Sequence, residues 1–224
     1  MFFSTGNTGG STLYNWSNDE TDIGLVASGI GNILSFAATN TGTAPLVANI
    51  TVTPEYTNDG VTCTGSPETF TITVNPTAQV EDITSEVVCN GDLTTEVNFS
   101  TLNTIGTTTY SWTNNATSIG LAAMGSGDIA EFTAVNNGTA PVIATITVTP
   151  QFTNDGVTCS GPSKNFTITV NPTAQVNDPA DLIVCNAQST SVTFVTNRTG
   201  GATTFNWTND VTGIGLPATG SGDI

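Results

Sequence analysis

Along most of this chain apolar and polar residues alternate with a period of two. In APVIATITVTP (140–150), Val142, Ala144, Ile146 and Val148 fall on one side, and Ile143, Thr145 and Thr147 on the other. In NFTITVNP (165–172), Phe166, Ile168 and Val170 alternate with Thr167 and Thr169. Val97 and Phe99 repeat the pattern, as do Tyr110 and Trp112. Such alternation marks half-buried strands, and threonine is a good β-former on the wet face. No segment keeps helical spacing over ten residues, and glycine, asparagine and proline interrupt the strands at short intervals. The pattern predicts strands near 82–89, 94–101, 107–114, 126–135, 140–151 and 164–171, with a short extra edge strand near 118–122.

The same pattern recurs at a step of about 96 residues. TNDGVTCTGSPETFTITVNPTAQV (57–80) returns as TNDGVTCSGPSKNFTITVNPTAQV (153–176), identical at 19 of 24 positions. YNWSND (14–19) returns as YSWTNN (110–115) and as FNWTND (205–210). A step of this length is a whole domain rather than a solenoid unit. Six or seven short strands per step, with a tryptophan on the third, argue for tandem immunoglobulin-like β-sandwiches forming a rod, an all-β fold. Trp16, Trp112 and Trp207 are the expected core residues of successive sandwiches.

Aligning the tryptophans sets Met1 on the position of Val97 and Ile224 on that of Ile129. The expected organisation is a first repeat lacking its first strand (1–78), a complete repeat (79–174) and the front part of a third (175–224). This reading takes the 224 residues as a window on a longer chain, with any export signal upstream.

Charge narrows the partners. The net charge is −16, with Lys164 and Arg198 the only basic side chains and no histidine. A polyanion without a basic patch cannot neutralise phosphates, which excludes nucleic acid and anionic membrane surfaces as partners. No run of 18 apolar residues exists, so no membrane insertion is expected. Without histidine, and with cysteines that look structural, no nucleophile–base pair can be assembled, so no enzyme activity and no cofactor are expected. Isopeptide cross-links would need a lysine in every repeat, but Lys164 aligns with Glu68.

Cys63, Cys89, Cys159 and Cys185 fall in two registers 96 residues apart. Metal ligation would want close pairs, so disulfides in an oxidising, extracellular setting are the better reading. Two pairings stay open beside reduced thiols. Cys89–Cys159 would close a loop inside one domain, stabilising by roughly 4 kcal/mol in the chain-entropy treatment. The alternative staples the first hairpin of one domain to the last hairpin of the next, across each junction. Under both, Cys63 and Cys185 find partners outside these residues.

Three further motifs carry less. LPATG (216–220) matches a sortase sorting signal, but its equivalents read LVASG (25–29) and LAAMG (121–125), so we read it as chance. Asp128 and Asp223 invite a calcium reading, yet the first repeat carries Asn32 there, and no set of about six or more oxygen ligands is spelled out. Asp59 and Asp155 belong to Asn-Asp-Gly turns.

The order VCNG, VNF, YSWTNN, IGLAAMGSGDI, PVIATITVTP, GVTCSG and FTITVNP resembles the PKD-like and immunoglobulin-like repeats of very large Bacteroidota surface adhesins. Gliding-motility adhesins and other proteins exported by the type IX secretion system carry such arrays. The WDFGDG signature of PKD domains proper is missing after the tryptophan. The resemblance implies a cell-surface filament or stalk, with neighbouring repeats as partners. The expected function is a structural spacer for adhesion or gliding. A glycan-binding module is the alternative, should the tryptophans form an exposed sugar platform. Self-association by strand addition between chains is a third reading.

Overall fold

A computed structural model describes all residues from Met1 to Ile224. The chain is all β, built as sandwiches whose only helical pieces are three-residue 3-10 turns. It divides into two compact units. The first comprises 1–82, 99–111 and 148–164, and the second 83–98, 112–147 and 165–224.

In the first unit, β1 (Ser11–Asn18), β2 (Ser28–Ile30), β3 (Leu46–Asn58), β4 (Val61–Thr64) and β5 (Glu68–Val74) form one sheet. β3 is its spine: burial alternates along its first half, and β1, β4 and β5 all pair with it. Its apolar positions Ala48, Ile50 and Val52 are buried, while Val47 and Asn49 face water. β1 lies antiparallel along one edge, with Trp16 opposite Val52. The other edge is shared: β5 pairs with Leu46–Val52, and β4 with Glu55–Asn58. The turn from β3 to β4 puts Asp59 and Gly60 at φ of 48° and 80°. Positive φ at both central residues is the two-residue hairpin geometry that Asp-Gly favours, and it matches the right-handed twist of the strands. Trp16, Ile23, Leu25, Ile33, Ala48, Ile50 and Val52 make the core, flanked by Phe3, Tyr14, Phe70 and Ile72.

The second repeat supplies β6 (Glu86–Cys89), β7 (Thr107–Asn114), β8 (Met124–Ser126), β9 (Val142–Asn154), β10 (Val157–Ser160) and β11 (Lys164–Asn171). Their order is β6-β11-β9-β7-β8, with β10 also on β9. β6 runs parallel to β11, from Glu86 opposite Ile168 to Cys89 opposite Asn171. A thin antiparallel layer lies within the second unit. Val97 and Ile129 exchange both backbone bonds, and Thr94 N–H donates to Phe132 O. The third repeat contributes β12 (Asn206–Thr208) and β13 (Thr219–Ser221), paired only with each other.

Strands expected at 107–114 and 164–171 form over those residues, and 140–151 becomes 142–154. Three expectations are corrected. The run 94–101 is no regular strand, because the Thr94 hydroxyl accepts from Phe132 N–H and donates to Phe132 O, so a side chain interrupts the ladder. The run 126–135 is likewise reduced to the end of β8 and isolated bridges at Ile129 and Thr133. Residues 118–122 hold part of a 3-10 turn, Thr117–Ile119, closed by Gly120 at φ 97°.

Candidate functional site

The repeated structural anchors are the features that recur from one repeat to the next. Trp16 and Trp112 are 8 % and 7 % exposed, which fixes them as core residues. Each lies against a glycine of the next strand: Gly29 opposite Trp16, and Gly125 against the six-membered ring of Trp112. A Cβ at either glycine would run into the indole. Trp207 repeats the contact with Gly220 opposite, but is only half-buried. β12 pairs with β13 alone, whereas Trp16 also has β3 beside it.

An asparagine two residues after each tryptophan, buried in the first two repeats and half-buried in the third, clamps the loop that follows. Asn18 Nδ2 donates to Glu20 O and Leu25 O at 2.9 Å, and Oδ1 accepts from Glu20 N–H. Asn114 does the same with Ala116 and Leu121, and Asn209 with Val211 and Leu216. The clamp seats Ile23 and Ile119 wholly inside. It also explains the sortase-like string, since Leu216 is the clamped residue and Gly220 the tryptophan's partner. A second pair, Asn40 and Asn136, ties its own loop to the last strand through Val74 O and Val170 O at 2.7 Å. Sequence reasoning missed these glycines and asparagines, although their recurrence at the domain step was the available signal.

All four cysteines are free thiols. The Cys89–Cys159 bond is therefore absent. Cys159 stands opposite Phe152 on the β9–β10 hairpin, in the first compact unit. Cys89 stands opposite Asn171 at the end of β6, in the second unit. Cys63, Cys89 and Cys185 are exposed and Cys159 is half-buried.

Three carboxylates have defined structural partners. Asp223 Oδ1 accepts from Phe194 N–H at 2.8 Å, and Asn32 Oδ1 accepts from Phe3 N–H at the same distance. Asparagine and aspartate thus accept the same backbone hydrogen bond at this position. No three or more acidic, cysteine or histidine side chains gather in metal-binding proximity. Lys164 meets Asp82 at 2.6 Å in an exposed ion pair, and this bond, then its charge, lowers the Asp82 pKa. Asp19 is lowered by bonds from the Asn49 side chain and backbone.

One edge differs between the repeats. β11 carries β6, and its Phe166, Ile168 and Val170 are buried. The matching Phe70, Ile72 and Val74 of β5 are only half-buried, and β5 pairs with β3 alone. Conversely, Asp181–Cys185, which matches Ser85–Cys89, is fully exposed and belongs to no sheet.

No family model and no curated protein matches the chain. Among solved structures it is similar to the crystal structure of domains 4 and 5 of the S-layer protein SbsC. The two share 19 % identity over 72 % of this chain and 70 % of that one, with a TM-score of 0.27. A superposition that loose carries no argument about function.

Proposed function

We propose that this chain is a segment of the stalk or filament of a bacterial cell-surface adhesin, its tandem sandwich repeats serving as a non-enzymatic spacer outside the cell. The observation that carries the reading is the threefold recurrence of one Trp–Gly–Asn anchor set on a β-frame. Repeating a fold-stabilising set multiplies length, whereas chemistry rarely needs the same site several times. The high negative charge adds repulsion between neighbouring molecules. No helix is long and apolar enough to cross a membrane. Display at the surface through type IX secretion, and a part in gliding, follow from the sequence resemblance and belong to this proposal.

A sugar platform would need open indole faces, and the burial of Trp16 and Trp112 favours the spacer instead. Tryptophan fluorescence separates the two readings. The spacer predicts a blue-shifted emission that surface polysaccharides and oligosaccharides leave unchanged. Saturable quenching by a glycan would overturn it.

A further inference from the structure

The stretch that joins the first two repeats is engaged residue by residue. β5 ends at Val74. Next, Asn75 Nδ2 donates to Asn154 O at 3.2 Å and to Val157 O at 3.4 Å, and Asn154 Nδ2 donates back to Asn75 Oδ1 at 3.0 Å. Pro76 is fully buried. Thr77 O accepts from Asn103 Nδ2 at 3.1 Å, and Gln79 N–H donates to Asn103 Oδ1 at 2.7 Å. Glu81 is tied twice to Ser100: its N–H donates to Ser100 O at 2.9 Å, and its carboxylate accepts from the Ser100 hydroxyl at 2.5 Å. Thr43 O of the first repeat also accepts from Thr104 N–H of the second at 2.8 Å. All of these residues lie within the first compact unit.

The two apolar side chains of the stretch are buried as well. Ala78 is 0 % and Val80 4 % exposed, and neither belongs to the core built around Trp16. Ala78 lies instead against Gly161 of the second repeat, where an added Cβ would run into the Ala78 carbonyl and methyl. The φ of Gly161 is not positive, so this glycine serves close backbone approach rather than a turn. Tandem domains ordinarily move about their linker, and a hinge needs a few residues free to absorb changes in φ and ψ. Between Val74 and Glu81 every residue is bonded or buried across the joint or flanked by residues that are. We propose that Asn75–Glu81 is a lock, a strap docked on the second repeat that holds the first two repeats in one mutual orientation in solution.

The parts of the lock belong to the repeat itself. NPTAQV (75–80) returns unchanged at 171–176, and Gly161 corresponds to Gly65. Within the second unit, Asn177 N–H donates to Val195 O at 2.8 Å and Thr199 N–H to Thr139 O at 2.9 Å, the counterparts of the Glu81–Ser100 and Thr104–Thr43 bonds. The strap sets direction without merging the two cores, because its links are mostly polar and Ala78 and Val80 stay outside the Trp16 cluster. The inference goes beyond the spacer reading and does not depend on it, since a spacer could equally be jointed and flexible.

The test is the distribution of distances between two nitroxide spin labels on the whole 224-residue chain, read by pulsed electron spin resonance. In a background with the native cysteines replaced by serine, Ser17→Cys/Thr109→Cys places one label on an exposed position of β1 and the other on an exposed position of β7. The lock predicts a single narrow distribution. Gly161→Ala, which drives a methyl into Ala78, and Asn75→Ala/Asn103→Ala, which removes the side-chain ties, should each at least double its width. The asparagine variant leaves every core residue in place, so its circular dichroism spectrum should be unchanged, and it keeps the test open if Gly161→Ala fails to fold. A broad or multiple distribution in the parent, or a narrow one that persists in the folded asparagine variant, would overturn the proposal.

Discussion

Gly125→Ala should destabilise the second repeat, and it should do so only while Trp112 is present. The glycine is half-buried on β8, and its φ is not positive, so alanine suits the backbone. The added Cβ would instead strike Cζ2, Cε2 and Cη2 of the indole. Trp112 is 7 % exposed, so the ring has little room to withdraw. Forcing one carbon into a packed core costs roughly 1–3 kcal/mol. Trp112→Ala alone should cost about 3–5 kcal/mol. In that background the same methyl fills vacated space, and losing a strand glycine can return roughly 0.5–1 kcal/mol. The double-mutant cycle therefore predicts a coupling of about 2 kcal/mol or more, with Gly125→Ala neutral or slightly stabilising once the ring is gone. Urea unfolding followed by far-ultraviolet circular dichroism measures it, the transition that moves in Trp112→Ala identifying the second repeat. Equal costs in both backgrounds would refute the idea that this glycine exists to admit the ring.

Other expectations follow from the same geometry. Asn114→Ala should cost about 1–3 kcal/mol, because it strips donors and an acceptor from a buried loop, and Asn114→Asp should cost more by setting a carboxylate against carbonyls. Urea midpoints check both. The lowered Asp82 pKa sets the sign of its pH effect. Its contribution is present above the ordinary value of 3.8 and fades as pH falls through the lower folded value, so Lys164→Met should raise the NMR-titrated Asp82 pKa towards 3.8. High salt should shrink that difference, because the pair is exposed. Alkylation should modify Cys63, Cys89 and Cys185 faster than half-buried Cys159, as read by mass spectrometry of timed digests.

The strands that could be read from the sequence are those whose two faces differ. Tyr110 and Trp112, Phe166 and Val170, and the long run from Val142 alternate because one side meets the core and the other meets water. β10 was hidden, because Val157–Ser160 is short and largely exposed, so it carries no alternation and reads as loop. Thr94 looked like a strand residue, but its hydroxyl bonds the backbone of Phe132 and breaks the ladder. The anchors were missed for another reason. A glycine in Ser-Gly-Ser reads as a turn, and asparagine in a chain rich in it reads as solvated loop. Only three dimensions reveal that Gly125 makes room for a ring and that Asn114 replaces water for three carbonyls. The cysteines show the limit of spacing arguments: their regular step reflects duplication of a domain and does not imply a bond inside it.

Stretching single molecules of the chain from its two ends tests the spacer account most directly. Tandem sandwiches that hold tension predict two separate force peaks, each releasing roughly 20–30 nm of contour, the length of 78 to 96 extended residues less their folded span. A smooth extension without peaks, or a single release of the entire length, would contradict independent modules built to carry load.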